Sequence, residues 1–552
     1  MDRGHHQRAS HVGTTGARPA TDRRSGARSV DQHGRRLHGT GRLMRTVKGP
    51  TGHVVVVGAG LSGLTAALHL AGRGREVTVV ERENWPGGRA GRADIGGYQL
   101  DTGPTVLTMP DIIDEAFAAV GESLSDRLDL IEVEPAYRAQ FADGSSIDVH
   151  SDADLMANAI AQFAGAEEAD GYRKLRDWLT RLYHTEFNGF IAENFDSPLS
   201  LLTPQLARLT ALGGFRKWDT MVNRYISDPR LRRVFTFQSL YAGVSPRKAL
   251  AVYAVIAYMD TISGVYFPRG GMRALPDALA AAATDAGVRF VYGATATGLE
   301  RSGDRVKAVL TDNEQRIACD AVILTTELPT TYSLLDRAPR RPGRLRPAPS
   351  AVVAHIGRRQ SPAANQALAH HNIIFGGEWD QTFTDIIRDG RLMRDPSLLV
   401  TCPSASDPSL APRDHDLFYV LAPAPNLERG VVDWSRIGES YTEQLIDIVG
   451  ARLIPGFRDG AEVLHVVNPE DWAAQGMIAG TPFSLAHTFA QTGPFRPANT
   501  VRGVDNAVLA GSSTVPGVGV PTAMISGRLA ADRITGAPAG SARTVIAKAG
   551  QS

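Results

Sequence analysis

Two glycine-rich stretches more than four hundred residues apart constrain this chain most: HVVVVGAGLSGLTAALHL from His53, and NAVLAGSSTVPGVGVPTAMISGRLAADRI from Asn506. Val54 to Val57 are β-branched and uncharged, as a parallel strand buried on both faces requires. Gly58, Gly60 and Gly63 follow as G-x-G-x-x-G at the turn from strand to helix. Without Cβ atoms they permit a tight turn and let backbone approach a pyrophosphate on the helix N-terminus. Leu61, Leu64, Leu68 and Leu70, with Ala66 and Ala67 between, predict a helix that lies close to the sheet. A second strand, Val77 to Val80, ends in Glu81, eighteen residues past Gly63 and near the spacing of a ribose-binding acid. Strand, glycines, helix, strand and acid in that order predict a dinucleotide site. An acid there favours a ribose without a phosphate.

The distal stretch reads as the other half of the site. Gly517 and Gly519 let backbone approach a flat ring. Pro521 suits the first turn of a helix predicted over Thr522 to Ile534, where an N–H would be unpaired. That N-terminus would turn its positive dipole end towards ring atoms that gain electron density on reduction. Soon after Glu81 come a second glycine pair with a cation, Pro86-Gly87-Gly88-Arg89, and then Asp101-Thr102-Gly103-Pro104-Thr105.

At 552 residues, 43% hydrophobic and 21% charged, the composition is that of an ordinary globular protein with room for at least two cores. Apolar runs such as Ala249 to Met259 are about half the ~20 residues that cross a bilayer. Cys319 and Cys402 lack neighbouring His clusters and support neither a disulfide framework nor a zinc site, so no metal is expected and the cytoplasm fits. The formal charge of +1 hides an asymmetry: residues 1–50 hold eleven Lys/Arg against three Asp, leaving 48 basic and 55 acidic groups in the rest. The basic charge lies outside the predicted fold, and no nucleic-acid partner is expected. Residues 1–43 have no apolar periodicity and no secretory h-region, and are expected to be a disordered tail or an over-extended start.

Residues 109–260 read as mostly helical. Alternating elements return over 262–335: a helix from Ala274 to Ala286, strands Val288 to Tyr292 and Ala294 to Leu299, a hairpin through Gly303-Asp304 to Val306 to Leu310, and a buried strand Ala321 to Leu324. Arg337 to Pro349 reads as a linker or exposed loop. The expected fold class is α/β: a Rossmann-like nucleotide-binding domain from 44–108, 262–345 and 497–540. Inserted into it is a mostly helical and mixed α/β cap from 109–261 and 346–496, and 541–552 is a tail.

With these motifs the chain resembles the bacterial and fungal type of phytoene desaturase, in the amine-oxidase-like FAD superfamily. The resemblance runs from residue 53 to 536. It rests on G-x-G-x-x-G and Gly87-Gly88-Arg89, then on DTGPT at 101–105, FPRGGM at 267–272, FYVLAP at 418–423 with Asp433-Trp434, Arg496-Pro497, and NAVLAGSSTVPGVGVP at 506–521. The chain departs from the family pattern where Ser512-Ser513 replace Ala-Gly, Val515 replaces His, and Thr325-Thr326-Glu327 replace Asn-Ala-Asp. The resemblance implies FAD as cofactor. The residues expected to bind it are Gly58, Ala59, Gly60, Leu61, Ser62, Gly63, Glu81, Arg82, Gly88, Arg89, Gly103, Pro104, Thr105, Ala296, Gly511, Gly519, Val520 and Pro521. It also implies desaturation of phytoene or a similar acyclic polyene, with hydride passing to the flavin and a proton leaving the adjacent carbon. Other readings within the enzymes are a C30 desaturase, a carotenoid isomerase or ketolase, and an amine or porphyrinogen oxidase. Outside them stands a non-catalytic prenyl-binding protein of the GDP-dissociation-inhibitor type.

Asp228 and Arg232, spaced i, i+4, match an acid–arginine pair of the family. They are read either as a surface ion pair or as catalytic residues that handle a proton or place substrate. Ala249 to Met259, Phe235, Phe237, Leu240, Tyr241, Phe483 and Phe489 are candidates for an apolar tunnel, or simply core. Over Leu199 to Trp218, Leu202, Leu206, Leu209 and Leu212 follow helical spacing, with Arg208, Arg216 and Lys217 as the only charges. This predicts either an interfacial helix, docking peripherally on a lipid membrane, or a helix packed on its own domain. Oligomeric state is left open.

Overall fold

The computed structural model describes residues 35–37, 43–338, 343–360 and 368–536. The expected tail 541–552 and most of 1–43 lie outside the described residues. Arg35–Leu37 pairs antiparallel with Leu43–Arg45, and Met44 is buried.

His53–Val57 is the central strand of a five-stranded parallel sheet. Its neighbours are Glu76–Val80 on one side and Ala321–Leu324 on the other; Arg289–Val291 and Ala507–Leu509 are the edges. Val54, Val55 and Val56 are fully buried, as a strand covered on both faces must be. The helix Leu61–Ala71 lies on one face and packs along the C-terminal helix Val520–Thr535. Contact is close because Gly527 has no side chain: a Cβ there would stand 2.1 Å from the Ser62 carbonyl oxygen. Ser62 Oγ donates to the Ala523 carbonyl at 2.6 Å. The two glycine-rich ends of the chain are thereby held side by side.

A second sheet has seven strands, in the spatial order Ala461–Val467, Ser350–Arg359, His415–Ala424, Leu398–Thr401, His371–Ile374, Tyr137–Gln140 and Ser146–Val149. The last two form a hairpin inside the region expected to be mostly helical. Only Tyr137 and Ala139 of Tyr137–Gln140 are buried, too short an alternation to read locally, and the strand it joins, His371–Ile374, is more than two hundred residues on. The helices Ala153–Ala164 and Ala166–Glu186 pack together beside this sheet, and Val255–Thr261 packs on the second of them.

The stretch Leu199 to Trp218 is not one helix. Thr203 caps a helix over Pro204–Ala211, which ends before Gly213 at φ +81°, and Trp218 starts a separate helix, Trp218–Val222. Trp218 is fully buried, its indole N–H donating to the Phe235 carbonyl at 3.0 Å, and Leu209 is buried too. The expected single helix over this stretch is thus corrected to two, and Leu209 and Trp218 are packed on the chain's own core because the glycine break turns the second helix inward. Leu199 and Leu202 are about three-quarters exposed (75% and 76%), and Phe215 is exposed at 42%. No helix among the described residues is long and apolar enough to cross a membrane.

Candidate active site

The turn after His53–Val57 is built by glycines with two different tasks. A Cβ on Gly63 would stand 2.0 Å from the Gly58 carbonyl oxygen, so its bareness closes the strand-to-helix joint. A Cβ on Gly60 would meet nothing nearer than Gly88 Cα at 4.0 Å, so its bareness keeps space open. Gly60 and Gly88 border one cavity of about 900 Å³. Glu81 is held at its edge: Oε2 accepts the Ala59 N–H at 2.6 Å and Oε1 the Glu83 N–H at 3.0 Å. Each carboxylate oxygen keeps further acceptor capacity for a hydroxyl.

The motifs scattered along the sequence meet around this cavity. The Asp101 carboxylate of DTGPT accepts the Met272 N–H of FPRGGM at 2.9 Å, and burial pushes this acid up to about 7. His355 Nε2 lies 2.9 Å from the Asp101 carbonyl, and the Tyr419 hydroxyl of FYVLAP donates to the Gly103 carbonyl at 3.1 Å. Arg496 is buried with its guanidinium on main-chain carbonyls, Ser512 at 2.6 Å and Thr514 at 2.8 Å, and so fixes the loop before the last helix.

The departures from the family pattern also converge. Glu327 forms an ion pair with Arg89 of the Gly-Gly-Arg segment. Arg89 Nη1 donates to Ser512 Oγ at 3.1 Å, and Ser513 Oγ donates to Glu327 Oε2 at 3.2 Å. Burial lowers the Arg89 guanidinium to about 10. Replacing Asn-Ala-Asp and Ala-Gly thus supplies one hydrogen-bonded cluster that ties three distant segments together.

Of the expected cofactor residues, Gly58, Gly60, Leu61, Ser62, Glu81, Arg82, Gly88, Arg89, Gly103, Pro104, Thr105, Ala296, Gly511, Gly519, Val520 and Pro521 line the cavity. Ala59 and Gly63 stand just behind it, one holding Glu81 and the other closing the turn. Asp228 and Arg232 are not brought there. Asp228 caps the short helix Pro229–Val234 and pairs with Arg230 at 2.8 Å, while Arg232 Nε donates to the Ile226 carbonyl at 2.9 Å. Cap geometry, not the i, i+4 spacing, sets the partner. From the tunnel candidates Phe237, Leu240, Tyr241, Val252, Val255, Ile256, Met259 and Phe483 line the cavity; Phe235 stacks in the core on Tyr172, and Phe489 is exposed.

The apolar part of the cavity holds acids that spacing did not reveal, Glu186 and Asp260. Burial pushes Asp260 up to about 8, and the neighbouring Gln238 amide only partly opposes this. The fold favours the protonated form. Its contribution to stability is complete below the unfolded carboxyl pKa of ~3.9 and lost as pH rises through the folded value. Asp260→Asn, which keeps a neutral polar side chain, should melt like the parent near pH 4 and above it near pH 9. A variant melting lower at both would mean the carboxylate has a partner that the amide lacks.

Comparison with known proteins agrees with this geometry. Residues 61–535 match the flavin containing amine oxidoreductase family, and residues 10–100 match the pyridine nucleotide-disulphide oxidoreductase family. A phytoene dehydrogenase of Streptomyces griseus is 61% identical over 89% of this chain and 97% of its own length. A zeta-carotene-forming phytoene desaturase of Myxococcus xanthus is 35% identical over 87% of this chain and 93% of its own. Among solved structures a putrescine oxidase superposes with TM-score 0.57 at 17% identity, covering 88% of this chain and 99% of its own, a likeness of fold alone. The chain belongs to the flavin containing amine oxidoreductases, in the branch of the phytoene desaturases, and is an oxidoreductase whose cofactor is FAD.

The residues present fit that cofactor. The space opposite Gly60 and Gly88 is a cradle that a side chain would fill, and Glu81 offers acceptors to a ribose. Gly519, at φ +127°, brings bare backbone to the cavity before a helix with Pro521 in its first turn, whereas Gly517 is bare because a Cβ there would stand 2.3 Å from His487 Nε2.

Proposed function

We propose that this enzyme desaturates phytoene or a closely similar acyclic polyene, and that it collects the substrate at a lipid surface. The observation that carries the substrate class is the cavity itself. From the glycine cradle it runs on into walls of Phe237, Leu240, Val252, Ile256, Met259 and Phe375, which suit a long hydrocarbon and exclude water. FAD, when bound, takes up the hydride that leaves the polyene. The chain's own work is then to orient. Gly60, Gly88, Arg89 and Glu81 hold the dinucleotide, the Gly511–Pro521 loop closes on it, and the apolar walls set which C–H lies beside it. The 61% identical relative is named for phytoene, and it is matched over nearly its whole length.

A substrate with no polar group resides in lipid. Phe195 lines the cavity, and the exposed Leu199 and Leu202 follow it directly; Thr492 and Gly493 line it, and the exposed Phe489 and Phe495 flank them. These apolar side chains, with Arg208, Arg216 and Lys217, form the contact we propose for an anionic bilayer, each cation adding about 1 kcal/mol. The test uses FAD-loaded protein with phytoene held in anionic liposomes, following pigments by chromatography and protein by sedimentation. Coloured polyenes and co-sedimentation are expected, and Leu199→Asp/Leu202→Asp should lose sedimentation while keeping bound flavin. Phytoene left unchanged would overturn the substrate reading, and undiminished sedimentation of the double variant would overturn the docking surface.

A further inference from the structure

One carboxyl group faces the cavity without a partner. Glu186 closes the long helix Ala166–Glu186, is 6% exposed, lines the cavity, and its Oε2 has no hydrogen-bond partner. An ordinary buried carboxyl is bonded or paired, because leaving a buried polar atom unsatisfied forfeits its solvation with nothing in return. It neighbours Tyr253 in the cavity wall. Tyr253, the neighbour whose hydroxyl feels the Glu186 charge, packs edge-on against His487 with ring centroids 5.5 Å apart. His487 in turn sits where a Cβ on Gly517 would meet its Nε2 at 2.3 Å. Asp260, the other buried acid, lies by Gln238, Tyr137 and Tyr241 instead, and neither of its carboxylate oxygens is left buried without a partner.

We propose that Glu186 is a catalytic residue that accepts, on Oε2, the proton released from the polyene in each desaturation. The inference rests on the desaturase reading above. Each desaturation removes two hydrogens from neighbouring carbons. One leaves with both bonding electrons to FAD, which is reduced as the polyene is oxidised. The other leaves as H⁺, and its C–H electron pair becomes the second bond of the new double bond. Oε2 gains the O–H bond and later releases the proton to solvent. An apolar setting makes a carboxylate a stronger base, and burial raises Glu186 well above its ordinary value. The alternatives are poorer bases: His487 is held neutral by burial well below its ordinary pKa, and Tyr253 keeps its proton. The elements packed on this helix bring Asp154, Arg208, Tyr253, Tyr258 and Asp260, and Arg496 stands beyond Tyr253.

The experiment compares FAD-loaded parent, Glu186→Gln and Glu186→Ala mixed anaerobically with phytoene in liposomes. The Gln variant should bind FAD stoichiometrically yet be reduced at least ~100-fold more slowly. Parent reduction should rise with pH through one inflection above the ordinary carboxylate range, because the base must be unprotonated, and that inflection should be missing in the Gln variant. Formate should restore part of the rate to Glu186→Ala, which a packing role would not allow. Independently of turnover, infrared spectra of the parent taken at a pH below that inflection should show a buried carboxylic-acid band that the Gln variant lacks. Parent-like reduction of the Gln variant, or an unchanged infrared band, overturns the assignment of Glu186. A parent whose flavin stays oxidised overturns the desaturase reading first, and the proposal with it.

Discussion

Gly60→Val should give a folded, colourless protein. The Gly60 backbone is extended at φ −70°, which any residue adopts, and an added Cβ meets nothing nearer than Gly88 Cα at 4.0 Å, so the backbone accepts a side chain whose methyls point into the cavity. They would fill the cradle. Overpacking of that kind costs typically 1–3 kcal/mol, and at the upper end flavin affinity falls on the order of 100-fold. Gly63→Val is the contrasting case. Its Cβ would stand 2.0 Å from the Gly58 carbonyl oxygen, so the joint between strand and helix cannot close and folding itself should fail. The two variants separate a cofactor role from a structural one within three residues. Circular dichroism and the flavin absorbance of each purified protein read the difference. Stoichiometric flavin on Gly60→Val would sink the assignment of this cradle.

Those glycines were legible in the sequence because their task is local: a turn needs bare backbone at fixed offsets, and the offsets are printed in the chain. The same holds for the β-branched run Val54–Val57, for Glu81 at the end of the next strand, and for Pro521 in the first turn of the last helix. What spacing could not show is which partner a side chain finds. Asp228 and Arg232 are a turn apart, yet Asp228 spends its carboxylate on the helix cap and on Arg230. Trp218 ends the leucine-spaced stretch, yet Gly213 breaks the helix and the indole lies in the core. Glu186 was silent for a further reason. Its significance is the absence of a partner for Oε2, which only the packing of the helices around it determines.

Thr325-Thr326-Glu327 and Ser512-Ser513 were visible as departures, but their meaning lies in the contact between them. This leads to the second large effect: Arg89→Met should destabilise the protein by about 3 kcal/mol. The cost comes less from the lost attraction than from Glu327, which would keep its charge at 17% side-chain exposure with one hydroxyl, Ser513 Oγ, left to solvate it. We take the lower end of the 3–5 kcal/mol expected for breaking a buried pair, since about a quarter of the Arg89 side-chain surface faces the cavity and is screened there. Glu327→Leu in the same background removes the stranded carboxylate, so the double variant should melt well above the Arg89→Met single variant. Flavin affinity should stay low in both, because the arginine lining the cradle is missing either way. A double variant that melts no higher than the single would show that Glu327 was never the group Arg89 compensates, and that the three segments are held together by their backbone contacts alone.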